Sequence, residues 1–132
     1  MLSKTSKQLI NALVELAKLS EEEWLDVGAI AFRTKASKSY LGKMLQSLAT
    51  TGLVVSQKGF GGGFRLGKAA AEIALYDVIK STENVNAWSW CAFDFKKCSD
   101  ANPCNVHDEW KEVKNKYLSF LHQTTIADLM RV

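Results

Sequence analysis

Four of the chain's eight glycines fall in one stretch, Gly59-Phe60-Gly61-Gly62-Gly63, and β-type runs flank it on both sides. Leu53-Val54-Val55-Ser56-Gln57-Lys58, rich in branched side chains, leads in, and Phe64-Arg65-Leu66 leads out. Strand, glycine-rich tip and strand predict a hairpin. The stretch lacks the Gly-Lys-Ser/Thr ending of a nucleotide-binding loop and opens no helix, which excludes that use of a glycine run.

What stands before the hairpin gives it a meaning. Residues 3–19 read as an amphipathic helix, with Leu9, Leu13, Leu16 and Ala17 on one face and Ile10 and Val14 widening it. The acidic run Glu21-Glu22-Glu23 interrupts the pattern. A shorter helix fits 27–34, turning Val27, Ile30 and Ala31 inward, and Thr34-Lys35-Ala36 makes a short connection. The third helix starts at Ser37, a good N-cap, buries Leu41, Met44, Leu45 and Leu48, and stops at Gly52. Its exposed first turns carry Lys38, Ser39, Tyr40 and Lys43. Two tightly joined helices, the second polar and basic at its N-terminal end, satisfy the requirements of a helix-turn-helix.

A hairpin directly after such a helix is a wing. Glycines let the backbone of the tip approach a phosphate backbone or a narrow groove, and Lys58 and Arg65 flank it. The candidate DNA-contacting residues are therefore Ser37, Lys38, Ser39, Tyr40 and Lys43 on the helix, with Lys58, Gly61, Gly62, Gly63 and Arg65 on the wing. The charge distribution agrees. Residues 1–68 hold ten Lys/Arg against five Asp/Glu, whereas 69–132 hold seven against nine. A basic half beside a mildly acidic one is the footprint expected when one half meets a polyanion.

The 132 residues suit one domain with an appended element, and the 47% apolar content is ordinary for a globular chain. No apolar run approaches the roughly 18 residues of a transmembrane helix, and the N-terminus leads into an amphipathic pattern rather than a signal core. A cytoplasmic protein with no membrane partner is expected. Ile73 to Thr82 reads as a brief helix, and 83–102 as a loop whose Trp88, Trp90, Phe93 and Phe95 pack or shield. Asn102-Pro103 suits the N-cap and first position of a last long helix reaching about His122. Its stripe of Val106, Trp110, Val113, Tyr117, Phe120 and Leu121 is too long for a small domain to bury, which predicts pairing with a second copy. Thr125 and Asp128 are spaced as a capping pair for a short final helix. His122 reads as structural or surface.

All three cysteines, Cys91, Cys98 and Cys104, lie within seventeen residues that end at His107. An odd number argues against a disulfide-stapled domain and leaves thiolates available. Three thiolates and an imidazole can hold zinc or an iron–sulfur cluster, and two of the cysteines alone could form a thiol–disulfide switch. If Pro103 opened the last helix, Cys104 and His107 would share one face of its first turn. A small metalloenzyme is disfavoured: four protein ligands leave no position for substrate, and no general base is evident. No small-molecule substrate is expected.

Ser37-Lys-Ser-Tyr40-Leu41, Leu45-Gln-Ser-Leu48 and Gly52-Leu53-Val54, running into Lys58-Gly59-Phe60-Gly61-Gly62-Gly63-Phe64-Arg-Leu66, resemble the IscR/NsrR family of bacterial winged helix-turn-helix regulators. Cys91, Cys98 and Cys104-x-x-His107 extend the resemblance, which reaches the final Ile126-Ala-Asp-Leu129 segment. It implies a non-enzymatic homodimer that binds palindromic double-stranded operator DNA and senses iron–sulfur, redox or nitric oxide status. It also implies a cluster on Cys91, Cys98, Cys104 and His107, with [2Fe–2S] favoured over [4Fe–4S]. The [4Fe–4S] members recruit a carboxylate from the first helix, where this chain has Ser6-Lys7-Gln8. Cluster-free relatives imply an alternative, control by thiol oxidation or by a partner protein. Thr34-Lys35 replaces a glycine often found in the family's helix-to-helix turn. The expected fold is mainly α with a small β-hairpin wing (α+β). It divides into a winged helix-turn-helix domain over 1–82, a cysteine-rich sensor loop over 83–105, and a dimerisation helix with its C-terminal segment over 106–132.

Overall fold

The computed structural model describes residues 2–83, 99–101 and 103–130. Helix α1 (Lys4–Ala17) begins where Ser3 Oγ accepts the Ser6 amide at 3.1 Å, an N-cap that satisfies one of the helix's orphan donors. Helix α2 (Val27–Thr34) is capped by Asp26, whose Oδ2 accepts the Gly28 amide at 2.9 Å. Helix α3 (Lys38–Thr50) starts at Ser37, as its sequence predicts, and Gly52 follows its end at φ 83°. Leu9, Leu13, Ile30, Leu41 and Leu45 are fully buried where these helices meet.

Between α2 and α3 the chain turns through Lys35 in the left-handed region, at φ 56°. A side chain there costs about 1 kcal/mol or more relative to glycine. The turn is held by Ala36 N–H donating to Ala31 O at 3.0 Å and by Gln8 Nε2 reaching Lys35 O at 3.2 Å. The substitution of the turn glycine is thus accommodated by a lysine in the conformation a glycine would take.

Strands β1 (Val54–Gln57) and β2 (Gly63–Leu66) pair antiparallel, Val54 opposite Leu66 and Gln57 opposite Gly63. A third partner comes from before α2. Leu25 N donates to Phe64 O at 3.0 Å and Phe64 N to Leu25 O at 2.9 Å, fastening the hairpin to the helical body. Arg65 strengthens the join, its Nη1 on Glu21 O at 2.9 Å and its guanidinium 4.3 Å from the Trp24 ring centroid.

The brief helix expected over 73–82 is shorter. A 3₁₀ turn spans Ala70–Glu72, and α4 covers Leu75–Ile79. Ile73 and Ala74 stay extended because they bridge to the chain's other end: Ile126 N donates to Ile73 O and Leu75 N to Thr124 O, each at 2.9 Å. Helix α6 (Ile126–Leu129) begins there with the expected capping box of Thr125 and Asp128. Ile73, Val78, Ile79, Leu121 and Ile126 close the core on that side.

The last long helix differs from expectation at its start. Helix α5 runs His107–Gln123, with Val106 rather than Asn102 at its N-cap; Asn102 lies outside the described residues. Residues 104–107 form a turn closed by His107 N–H donating to Cys104 O at 3.2 Å. The first turn of the helix carries Asp108 and Glu109, negative charges that suit an N-terminus. Local preference for Pro103 at a first position was outweighed by that pair. His122, near the other end, stacks on Tyr76 with ring centroids 4.0 Å apart.

A polar knot joins the first helix to Thr82 and Glu83. Ser6, fully buried, has its Oγ 2.6 Å from Thr82 Oγ1 and 2.7 Å from Glu83 Oε1, and Ser3 N–H donates to the same Oε1 at 2.8 Å. Partial burial pushes the Glu83 carboxyl up, but these hydrogen bonds outweigh it and hold the group below its ordinary value. The unfolded chain therefore takes up this proton at higher pH than the folded one. The stabilisation is complete above the ordinary carboxylate value of about 4.3 and is lost as pH falls through the lower folded value. Thermal melts of Glu83→Gln should show a flatter acid limb below about pH 4 than the native chain, and Ser6→Ala should lose about 1–2 kcal/mol at neutral pH.

Candidate nucleic-acid interface and cysteine centre

The outer face of α3 follows from its inner one. Because Leu41, Met44, Leu45 and Leu48 are buried, positions between them point outward, and Ser37, Lys38, Ser39, Tyr40 and Lys43 are all exposed. Tyr40 keeps half its surface. Beside them, Ser39, Lys43 and Gln46 share a shallow groove with Val27 and Phe64, next to the hairpin. Gln46 was not singled out from the sequence, although its position three residues after Lys43 on the polar face marks it; a glutamine there can pair with an adenine edge.

On the hairpin, Lys58 and Gly61 are exposed at the tip and Gly62 and Gly63 are half-buried at its return. A Cβ on Gly63, whose φ is 144°, would overlap the Leu25 carbonyl, so this glycine permits the join to the body. Phe60 is the other residue sequence reasoning passed over: it stands fully exposed at the tip, apolar and uncovered. Arg65 lies at the hairpin's base and is turned toward Glu21 and Trp24, whereas Lys58 is displayed outward.

Of the cysteine centre, Cys91 and Cys98 lie outside the described residues, as do Trp88, Trp90, Phe93 and Phe95. Cys104 is half-buried and is two residues before the α5 N-cap, so it and His107 are brought together by the 104–107 turn rather than by a shared helical face. His107 is only 6% exposed. Its Nε2 lies 2.7 Å from Asp100 Oδ1, and Lys111 Nζ is 3.1 Å from each oxygen of that carboxylate. The hydrogen bond to His107, and then Lys111, hold Asp100 below the usual carboxylate value. Among the described residues no three His, Cys, Asp or Glu side chains gather closely enough to hold a metal ion. The donor types nevertheless suit a soft centre: a buried imidazole, a thiol one turn away and two more thiols in the preceding sequence.

Helix α5 buries His107 and Leu121, and leaves Val113 59% and Phe120 51% exposed. Among the described residues, its apolar stripe is covered only in part by α4 and the core. None of the described helices is long and apolar enough to cross a membrane.

A basic, polar helix set beside a fastened glycine hairpin defines a winged helix-turn-helix, DNA-binding regulator of transcription. Residues 2–132 match the Rrf2 family, described as iron-dependent transcriptional regulators, and the chain belongs to it. It is 30% identical over 131 residues to the HTH-type transcriptional regulator IscR of Vibrio atlanticus (strain LGP32), covering 98% of this chain and 75% of that one. Among solved structures it is similar to T. potens IscR, with a TM-score of 0.75 at 26% identity over 99% of this chain and 86% of that one. It is also similar to CymR (YrzC), the global cysteine regulator of B. subtilis, with a TM-score of 0.79 at 25% identity, 98% of this chain and 95% of that one.

Proposed function

We propose that the chain acts as a homodimer on palindromic operator DNA, and that an iron–sulfur centre on Cys91, Cys98, Cys104 and His107 governs the binding. The observation that carries this reading is a buried histidine at the root of α5, one turn from Cys104 and downstream of two further cysteines. Bound, such a centre would supply sensitivity to iron supply and redox state; a [2Fe–2S] form suits three thiolates with one imidazole. This chain's own residues would do the rest. Lys38, Ser39, Tyr40, Lys43 and Gln46 enter the major groove while the wing, with Lys58, Phe60 and Gly61, follows the adjacent minor groove. Ser37 caps the reading helix, Gly62 lets the hairpin turn close on Gln57, Gly63 lets the wing lie against the body, and Arg65 braces it from its base. Val113 and Phe120 supply the apolar surface by which α5 meets a second copy.

The test is the visible absorption spectrum of anaerobically purified protein, with iron and sulfide analysis. Coloured protein carrying iron and sulfide is expected, and His107→Ala should change the spectrum or shed the iron. In the same preparation, Lys43→Ala should weaken operator binding and lower the salt slope by about one, as loss of one phosphate contact does. The similarity to a protein titled a global cysteine regulator favours a second reading, a cluster-free regulator controlled by thiol oxidation or a partner protein. Colourless, iron-free anaerobic protein whose DNA binding depends on thiol reduction would establish that reading instead.

A further inference from the structure

Asp100 has no part in the reading above, yet its Oδ1 lies 2.7 Å from Nε2 of the buried His107. The carboxylate sits on the exposed side of the turn, and His107 and Lys111, four residues apart on one face of α5, both reach it. Lys111 binds both oxygens, which fixes the carboxylate in place before the ring is considered. An ionised carboxylate only accepts hydrogen bonds, so at neutral pH the 2.7 Å contact has Nε2–H as its donor. In the neutral ring the lone pair then belongs to Nδ1.

We propose that Asp100, anchored by Lys111, is a positioning residue for His107: it holds the Nε2–H and thereby presents Nδ1 as the nitrogen that would meet iron. Carboxylate–histidine–metal relays do this generally, fixing tautomer and ring orientation and raising the basicity of the ligating nitrogen. The inference rests on the cluster reading, and it adds a definite nitrogen and a definite partner. The opposite arrangement has different chemistry, because coordination through Nε2 would require Asp100 to let go.

The experiment uses the full chain, reconstituted anaerobically with ferrous iron and sulfide and carrying histidine labelled with ¹⁵N at either Nδ1 or Nε2. Pulsed EPR of the reduced cluster should find the strongly coupled nitrogen at Nδ1. Asp100→Ala should shorten the lifetime of the cluster against a chelator by about tenfold, as loss of such partners does, with Asp100→Asn intermediate because its amide oxygen can still accept the N–H. The melting of the cluster-free protein should be the same in all three, which separates positioning from a general loss of fold. Strong coupling at Nε2, or an unchanged cluster lifetime in Asp100→Ala, overturns the proposal and leaves the cluster reading standing. A cluster with no strongly coupled nitrogen, or no cluster in the native chain, overturns both.

Discussion

Gly63→Ala is expected to lower stability by about 2–4 kcal/mol and to cost the protein most of its operator affinity. The loss combines a strained backbone, about 1–3 kcal/mol, with about 1 kcal/mol for losing one of the two Leu25–Phe64 hydrogen bonds, because the new methyl group would overlap the Leu25 carbonyl that accepts it. Denaturant unfolding gives the stability. Amide hydrogen exchange locates the loss, which should appear first at Leu25 and Phe64 and leave α1 and α3 protected. Gly61→Ala is the comparison. Its φ is 79°, but nothing lies within 4 Å of the new Cβ, so only the conformational cost of about 1 kcal/mol remains. Equal effects from the two substitutions would show that the hairpin's attachment matters less than its tip.

Val113→Glu should leave the protein folded and make it monomeric. Val113 is 59% exposed and, among the described residues, stands outside the hydrophobic core, so stability within about 0.5 kcal/mol of native is expected for the separated chain. In a paired α5 the same carboxylate would be buried opposite its copy, and a cost of about 3 kcal/mol or more weakens association at least about 100-fold. Sedimentation velocity reads the association, and binding to a palindromic operator should fall with it, because one half-site then holds the protein alone. A dimer that survives this change would move the interface away from α5.

The reading helix was legible because its signals are local: a serine cap, a stripe at helical spacing and a glycine stop, all within sixteen residues from Ser37 to Gly52. The wing was legible for the same reason. Its attachment was not, since Leu25 and Phe64 are far apart in sequence and a one-residue bridge has no periodicity to betray it. The start of α5 misled because Asn102-Pro103 is a sound local signal that lost to the 104–107 turn and to acidic residues better placed for the helix end. Ser6 reads as a polar residue in the wrong place for a core until Thr82 and Glu83 are seen beside it. Asp100 was hidden likewise: a separation of seven positions from His107, with Pro103 between, carries no sequence signal that makes the two partners.

Helix α5 also has a mechanical consequence. At 17 residues it is about 25 Å long, and its far end is clamped by buried Leu121, the Tyr76–His122 stack and the bridge from Thr124 to Leu75. Its near end carries His107, with Asp100 against the ring. The helix is thus a lever with its fulcrum beside the helical body, and a 2 Å displacement at the histidine swings it by about 5°. In the proposed pair of such helices both arms would swing together. On the proposed reading, chemistry at a few atoms would thereby become a rotation, the kind of change that decides whether two reading helices find, or miss, successive turns of a duplex.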